Sequence, residues 1–117
     1  MSLTRAEIKH GIDSIPFPDL TWAAGLFEGE GTFVLDRTKT GRPHLNMRVA
    51  MKDEDVIKRF HTVATVGSCY QKTSGLWEWQ VSRWRAEYLG WRLCINLGLR
   101  RRARFLEILQ EVRAYDQ

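Results

Sequence analysis

The stretch 20–31, LTWAAGLFEGEG, constrains the fold more than any other part of the chain. Its apolar residues recur with helical spacing, but small or apolar residues occupy almost the whole circumference of the predicted helix. A surface helix of a small domain normally carries a polar stripe opposite its apolar one. The sequence therefore predicts a helix that is covered on two sides. A transmembrane helix would need about 20 apolar residues, more than this stretch has.

The predicted helix has one bulky side and one side of small residues. Thr21, Gly25 and Gly29 recur at intervals of four, so the backbone of a second helix could approach closely there. Each glycine inside a helix costs about 1 kcal/mol relative to alanine, and close packing against another helix would offset this. By the helical projection, the small side consists of Thr21, Ala24, Gly25, Glu28 and Gly29.

The acidic end of this helix is its second unusual feature. A helix C-terminus carries partial negative charge and favours Lys or Arg, whereas this one ends with Glu28, Gly29 and Glu30. A divalent metal with oxygen ligands would neutralise these carboxylates. The alternative is a solvated Glu30 beside a glycine C-cap. Spacing alone favours neither interpretation.

Residues 23–31, AAGLFEGEG, resemble the nine-residue signature of the LAGLIDADG homing endonucleases. Glutamate replaces both aspartates of the signature, and Phe27 replaces an isoleucine. The resemblance implies that the small side of the helix forms a homodimer interface. It also implies that Glu30 and the backbone of Gly29 bind a catalytic Mg²⁺, and that the protein is associated with an intron or intein.

Length and composition agree with a single intracellular domain. The 117 residues fit one domain, and one copy of the signature implies a homodimer. The net charge of +4 and the pI of about 9.4 favour a polyanionic partner, although mildly basic soluble proteins are common. Cys69 and Cys94 lack the spacing of a zinc or disulfide framework. The N-terminus lacks the apolar segment of a secretory signal, so we expect an intracellular protein without a membrane partner.

The hydrophobic pattern predicts an α+β fold. After Gly31 the apolar period changes from 3.6 to 2, which indicates a hairpin over residues 32–51, and a second hairpin is predicted over residues 68–83. Helices are predicted between the hairpins and over residues 84–98 and 100–116. This is the α-β-β-α-β-β-α order of a LAGLIDADG-type domain with an antiparallel sheet. We expect an N-terminal arm, residues 1–18, and one domain, residues 19–117, with Asp19 as the N-cap of its first helix.

A candidate DNA-binding face follows the signature helix. In the second predicted strand, His44, Asn46 and Arg48 alternate with apolar residues, so one face is polar and basic. A two-stranded ribbon fits the major groove, and cations near a hairpin tip suit phosphate contacts. A solvated charged surface is the alternative, and charge alone would favour it. The residues predicted to contact DNA are Arg37, Lys39, Arg42, His44, Asn46, Arg48, Tyr70, Lys72, Glu78 and Gln80.

The candidate catalytic residues are Glu30, Arg100 and Arg101. The family typically places a lysine near the start of the terminal helical region and a Gln-like residue late in the second strand. Here the run RRR at 100–102 and Ala50 occupy those places, and arginine is a poor proton shuttle because it is permanently charged.

The resemblance implies a homodimeric, metal-dependent endonuclease that hydrolyses a long pseudo-palindromic site in double-stranded DNA. The departures at Ala50 and at 100–102 keep open a DNA- or RNA-binding regulator or maturase without cleavage activity. A structural dimer without a nucleic-acid role is the third possibility.

Overall fold

The computed structural model describes residues 2–116. In chain order its elements are α1 (Arg5–Asp13), α2 (Phe17–Glu30), β1 (Gly31–Arg37), β2 (Pro43–Met51), α3 (Glu54–Ala64), β3 (Ser68–Gln71), β4 (Trp77–Ser82), α4 (Arg83–Cys94) and α5 (Leu99–Tyr115). Within this part of the chain, no helix is long and apolar enough to cross a membrane.

The strands form one antiparallel sheet in the order β1-β2-β4-β3. One face is apolar and is covered by helices α2 to α5, with Met47, Val49 and Trp79 fully buried at the centre of the core. The residues between them along each strand project from the opposite face. The predicted α+β class with two hairpins and an antiparallel sheet is therefore confirmed.

Helix α2 begins earlier than the sequence pattern predicts. Pro16 is its N-cap and the helix starts at Phe17, so the prediction of Asp19 as N-cap is wrong. Pro18 lies at the second helical position, where its missing N–H has no intrahelical partner to lose. Asp19 lies in the first turn, where its negative charge is favourable beside the positive end of the helix dipole.

The end of α2 is fixed by aromatic packing. The ring of Phe27 lies 4.8 Å from that of Phe33 on β1, which lies 5.0 Å from that of Phe105 on α5. Phe27 and Phe105 are fully buried. A Cβ atom at Gly31 would collide with the Phe27 ring, so glycine is required where the helix passes directly into the strand.

The predicted N-terminal arm contains helix α1, which packs on α4. Thr4 and Glu7 form a capping box at its start, and Ile12 is fully buried. The Tyr88 hydroxyl donates to the Asp13 carboxylate at 2.8 Å, and Arg92 donates to the backbone oxygen of Ile15 at 3.2 Å. The boundary at residue 18 stays a prediction, while α1 and α4 share part of one core.

We predict that Gly31→Ala lowers the free energy of unfolding by about 1–3 kcal/mol, because the added methyl group overpacks the site against Phe27. Gly11→Ala in α1 is the matched control, since its Cβ would meet Thr65 only at an ordinary contact distance of 3.5 Å. This control should be neutral or stabilising by up to about 1 kcal/mol. Urea denaturation measures both changes. Equal stability of the two variants would contradict the close packing at Gly31.

Candidate nucleic-acid interface and metal site

The strands place six of the ten residues predicted to contact DNA on the polar face of the sheet. They occupy alternate positions on the three strands β2, β4 and β3, on the side away from the helices. The six residues are His44, Asn46, Arg48, Tyr70, Glu78 and Gln80. The strand register, which the sequence alone does not give, decides which of them are neighbours.

A polar row crosses the entire sheet. Thr32 is opposite Arg48, Arg48 is opposite Gln80, and Gln80 is opposite Ser68. These four side chains lie on one face, on four adjacent strands spaced about 4.8 Å apart. Hydroxyl, guanidinium and amide groups are the donors and acceptors that contact base edges in a major groove.

Asp36 of β1 is a member of this face that sequence reasoning missed. Its Oδ2 accepts a hydrogen bond from Asn46 Nδ2 at 3.0 Å and one from Arg48 Nη2 at 3.1 Å. The alternation along β1 could have placed Asp36 on the polar face, but its contacts depend on the pairing with β2.

A second polar cluster lies at the β3 side of the face. The Tyr70 hydroxyl donates to Glu78, and the Lys72 ammonium lies 3.5 Å from the same carboxylate. Glu78 is only 7% exposed. The hydrogen bond to Glu78, together with burial, raises the pKa of the Tyr70 hydroxyl, so Tyr70 remains a neutral donor. Tyr70, Lys72 and Glu78 therefore act as one unit on this surface.

Three buried polar atoms on the face have no hydrogen-bond partner among the described residues. They are His44 Nδ1, Asn46 Oδ1 and Arg48 Nε. Most buried polar groups in folded proteins are paired, so three such atoms on adjacent alternate positions of one strand mark a polar surface whose hydrogen bonds are incomplete within this chain.

Two cations near the hairpin tip, Arg37 and Arg42, do not lie on the polar face. Arg37 shares the helix-side face of β1 and pairs with Glu111 of α5 at 3.5 Å, and Arg42 pairs with Asp116 at 2.7 Å. These pairs join the hairpin to the end of α5 and hold both arginines away from the polar face, while their contact with DNA stays a prediction. Lys39 is exposed in the turn itself, where phosphate contact remains a prediction.

The acidic end of α2 is neutralised by a cation from α5. Arg101 Nε donates to the Glu28 backbone oxygen at 2.8 Å and to Glu28 Oε2 at 3.1 Å, and Arg101 Nη1 donates to the Gly31 oxygen. The Gly98 N–H also donates to the Glu28 carboxylate. The side chain of Arg101 is only 17% exposed. Arg101 therefore caps α2 and Glu28 binds within the chain, while the catalytic role of Arg101 and the interface role of Glu28 stay predictions.

Glu30 and Gly29 are exposed at the point where α2 passes into β1. Within residues 2–116, the Glu30 side chain makes no hydrogen bond or salt bridge, and no group of three or more His, Cys, Asp or Glu side chains forms a ligand cluster. Magnesium is commonly held by one or two carboxylates together with substrate phosphates and water. A single free carboxylate is a suitable donor for such an ion.

Arg100 lies near the point where α2 passes into β1. An open cleft of about 300 Å³ is lined by Thr32, Phe33, Arg100, Arg101 and Arg104. Arg100 is exposed, in contrast to the neighbouring Arg101. Of the two arginines predicted to be catalytic, Arg100 is the more exposed.

One side of α2 is open. Gly25 and Gly29 are exposed, and a Cβ atom at either would meet nothing within 4 Å. Thr21 is half-buried beside them. Ala24, by contrast, is fully buried in the core, so the prediction that it faces a partner is wrong.

Apolar and aromatic side chains border the open side of α2. Trp22 lies on one flank with the Arg59 guanidinium 4.0 Å from its ring centroid. On the other flank, the Gly98 N–H contacts Glu28, and Ile95 and Leu99 near it are 79% and 78% exposed. Large exposed apolar side chains beside an open helix face are typical of a protein-protein contact.

Comparison with solved structures finds homing endonucleases. One is I-CvuI in complex with its target in the presence of calcium, with a TM-score of 0.72 and 16% identity over 84% of this chain and 69% of that chain. Another is the LAGLIDADG meganuclease I-AabMI bound to uncleaved DNA, with a TM-score of 0.65 and 20% identity over 79% of this chain and 35% of that chain.

A third similar structure is the archaeal intron-encoded homing endonuclease I-Vdi141I complexed with DNA, with a TM-score of 0.62 and 14% identity over 78% of this chain and 64% of that chain. Comparison with protein-family models and with curated protein sequences finds no match. The structural similarities show that this chain has the fold of the LAGLIDADG homing endonucleases, which confirms the fold implied by residues 23–31.

We predict that Arg101→Ala destabilises the protein by about 1–3 kcal/mol, because it leaves the Glu28 and Gly31 oxygens without their donor. Arg100→Ala is the matched control and should change stability by less than about 0.5 kcal/mol, since Arg100 is exposed. Thermal unfolding of both variants measures the difference. If Arg101→Ala were as stable as the control, the capping role would be refuted.

Proposed function

We propose that this protein is a homodimeric, metal-dependent endonuclease that cuts both strands of a long pseudo-palindromic site in double-stranded DNA. The observation that carries the proposal is the position of Glu30. This free carboxylate lies at the end of the open helix α2, where the chain enters the sheet that carries the polar face. The fold shared with DNA-bound homing endonucleases supports the same conclusion.

The open side of α2 supports a dimer with two-fold symmetry. In an isologous interface the same patch of both subunits meets, so Gly25 and Gly29 of each helix would approach their counterparts. Ile95 and Leu99 would extend the contact beyond the helix pair. Such an arrangement places the two Glu30 carboxylates near each other at the symmetry axis.

Two adjacent carboxylates repel each other unless a cation lies between them. Glu30 of each subunit, with the Gly29 backbone oxygen beside it, would hold Mg²⁺ at this point. Such an ion would supply an activated water and would stabilise the leaving oxygen of the phosphodiester. Arg100, which lines the cleft beside Thr32, would contact a phosphate, while Arg101 holds the end of α2 in position.

The polar face would contact bases, and Lys39 at the hairpin tip would contact phosphate. The polar row from Thr32 to Ser68 would lie along the major groove with its side chains toward the base edges. The excess of positive charge favours association with the DNA backbone. The proposal also includes an intracellular location and an intron or intein as the genetic context.

A DNA- or RNA-binding protein without cleavage activity is the second candidate. Ala50 lies at the end of β2 opposite Glu78, so no neutral polar side chain occupies that place on β2 to hold water. Arg101 is committed to capping α2, which leaves the exposed Arg100 as the accessible arginine of the pair. These two features favour a regulator or maturase over an active nuclease.

Selection from a random double-stranded DNA library, with and without Mg²⁺, tests the proposed function. The endonuclease is expected to release cleaved ends only with Mg²⁺, and Glu30→Gln should abolish cleavage and divalent-ion binding while specific binding in EDTA persists. Glu107→Gln, which removes a carboxylate on α5 instead, is the matched control and should cleave normally.

Three results would contradict this assignment. Cleavage by Glu30→Gln at the parental rate would refute the metal-binding role of Glu30. Retention of specific DNA without cleaved ends would favour the binding protein. Absence of any salt-dependent affinity for DNA or RNA would exclude both candidates and leave a structural dimer.

We predict that Gly25→Leu converts the dimer into monomer or aggregate, because the added side chain would separate the two helices. Within the chain this substitution meets no atom within 4 Å of the Cβ, so the subunit should still fold. Thr62→Leu, on the exposed side of α3, is the control and should keep the parental mass. Sedimentation measures the mass, and an unchanged dimer for Gly25→Leu would place the interface elsewhere.

A further inference from the structure

We infer that Asp36 sets the base preference of Arg48 by holding its guanidinium in the orientation in which it contacts a base edge. Asp36 acts in this way as a positioning residue and does not itself contact the base. The inference rests on the proposed function, because it concerns how the polar face recognises double-stranded DNA.

The side chains of Asp36, Asn46 and Arg48 are connected by hydrogen bonds along the sheet. Asp36 lies on β1 opposite His44, while Asn46 and Arg48 follow His44 at alternate positions on the same face of β2. The Asp36 carboxylate reaches along β2 and accepts from Asn46 Nδ2 at 3.0 Å and from Arg48 Nη2 at 3.1 Å. A single Asp36 oxygen, Oδ2, thus joins the amide and the guanidinium.

Burial distinguishes the side chain that is fixed within the sheet from the one that is accessible to a ligand. Asn46 is 7% exposed and anchors the Asp36 carboxylate from within the sheet. The side chain of Arg48 is 41% exposed, whereas its Nε is buried. The terminal Nη groups are therefore the donors through which Arg48 can contact a ligand, and one of them is oriented by Asp36.

The contact has two physical consequences for DNA binding. A guanidinium that is already oriented loses less rotational freedom when it contacts guanine O6 and N7, so Asp36 should increase discrimination between base pairs. Its negative charge on a DNA-facing surface repels phosphate, so Asp36 should weaken binding to DNA of random sequence. Lower nonspecific affinity together with higher discrimination is the signature of this role.

Asp36→Asn tests the inference, because it keeps the size of the side chain and removes its charge. Sequences that bind the parental or the variant protein in EDTA are selected from a random double-stranded DNA library. The affinity of each protein for a duplex of random sequence is then measured. We expect Asp36→Asn to lose preference at one base pair by roughly 5- to 150-fold. Binding to the random duplex should tighten. Asp36→Ser, which also removes the carboxylate, should lose the same preference.

Asp55→Asn is the matched control, with the same change in charge at an exposed position in the first turn of α3. It should keep the parental base preference. If Asp36 acts through Arg48, then Asp36→Asn should cause no further loss of preference in an Arg48→Ala background. Thermal unfolding of every variant separates loss of preference from loss of fold.

Two outcomes would overturn the inference while leaving the proposed function intact. One is an unchanged base preference in folded Asp36→Asn and Asp36→Ser. The other is an equal additional loss of preference in the Arg48→Ala background. Failure of the parental protein to select any DNA would refute the proposed function itself, and the inference with it.

Discussion

The contact between Arg101 and the end of α2 joins two segments that are far apart in the sequence. The last turn of a helix leaves backbone oxygens without intrahelical partners, and here the chain adds a glutamate at this electronegative end. Arg101 lies 73 residues beyond Glu28 in the sequence and donates to its backbone oxygen and its carboxylate. The aromatic contacts of Phe27, Phe33 and Phe105 bury the adjacent region, so α2, β1 and α5 meet in one packed junction.

This junction gives two similar residues different roles. Glu28 is neutralised by Arg101 and the Gly98 N–H, which makes it part of the scaffold. Glu30, two residues later, is exposed and makes no such contact within residues 2–116. A carboxylate whose neighbour already satisfies the end of the helix is free to bind an ion. The sequence places two negative charges at the unfavourable end of the helix. In the structure, a guanidinium neutralises one glutamate and the other is exposed to solvent.

The sequence predicted the elements well because their signals are local. The change of period after Gly31 marked the hairpins, and the small residues 25 and 29 marked the open side of α2. Ala24 was assigned to the wrong side because a helix without a polar stripe gives no local indication of where its own core lies. Contacts between residues that are distant in the sequence could not be predicted either. Arg37 and Arg42 bind residues 74 positions away, and Asp36 depends on the strand register.

Helix α5 spans the distance between the two ends of the sheet. Its first turn holds the end of α2 through Arg101, and at its far end Asp116 holds the hairpin through Arg42. Its 17 residues measure about 25 Å at 1.5 Å per residue. At about 3.4 Å per base pair, this length corresponds to about seven base pairs of duplex. The length of α5 therefore sets the distance between the end of α2, where Glu30 lies, and the tip of the first hairpin.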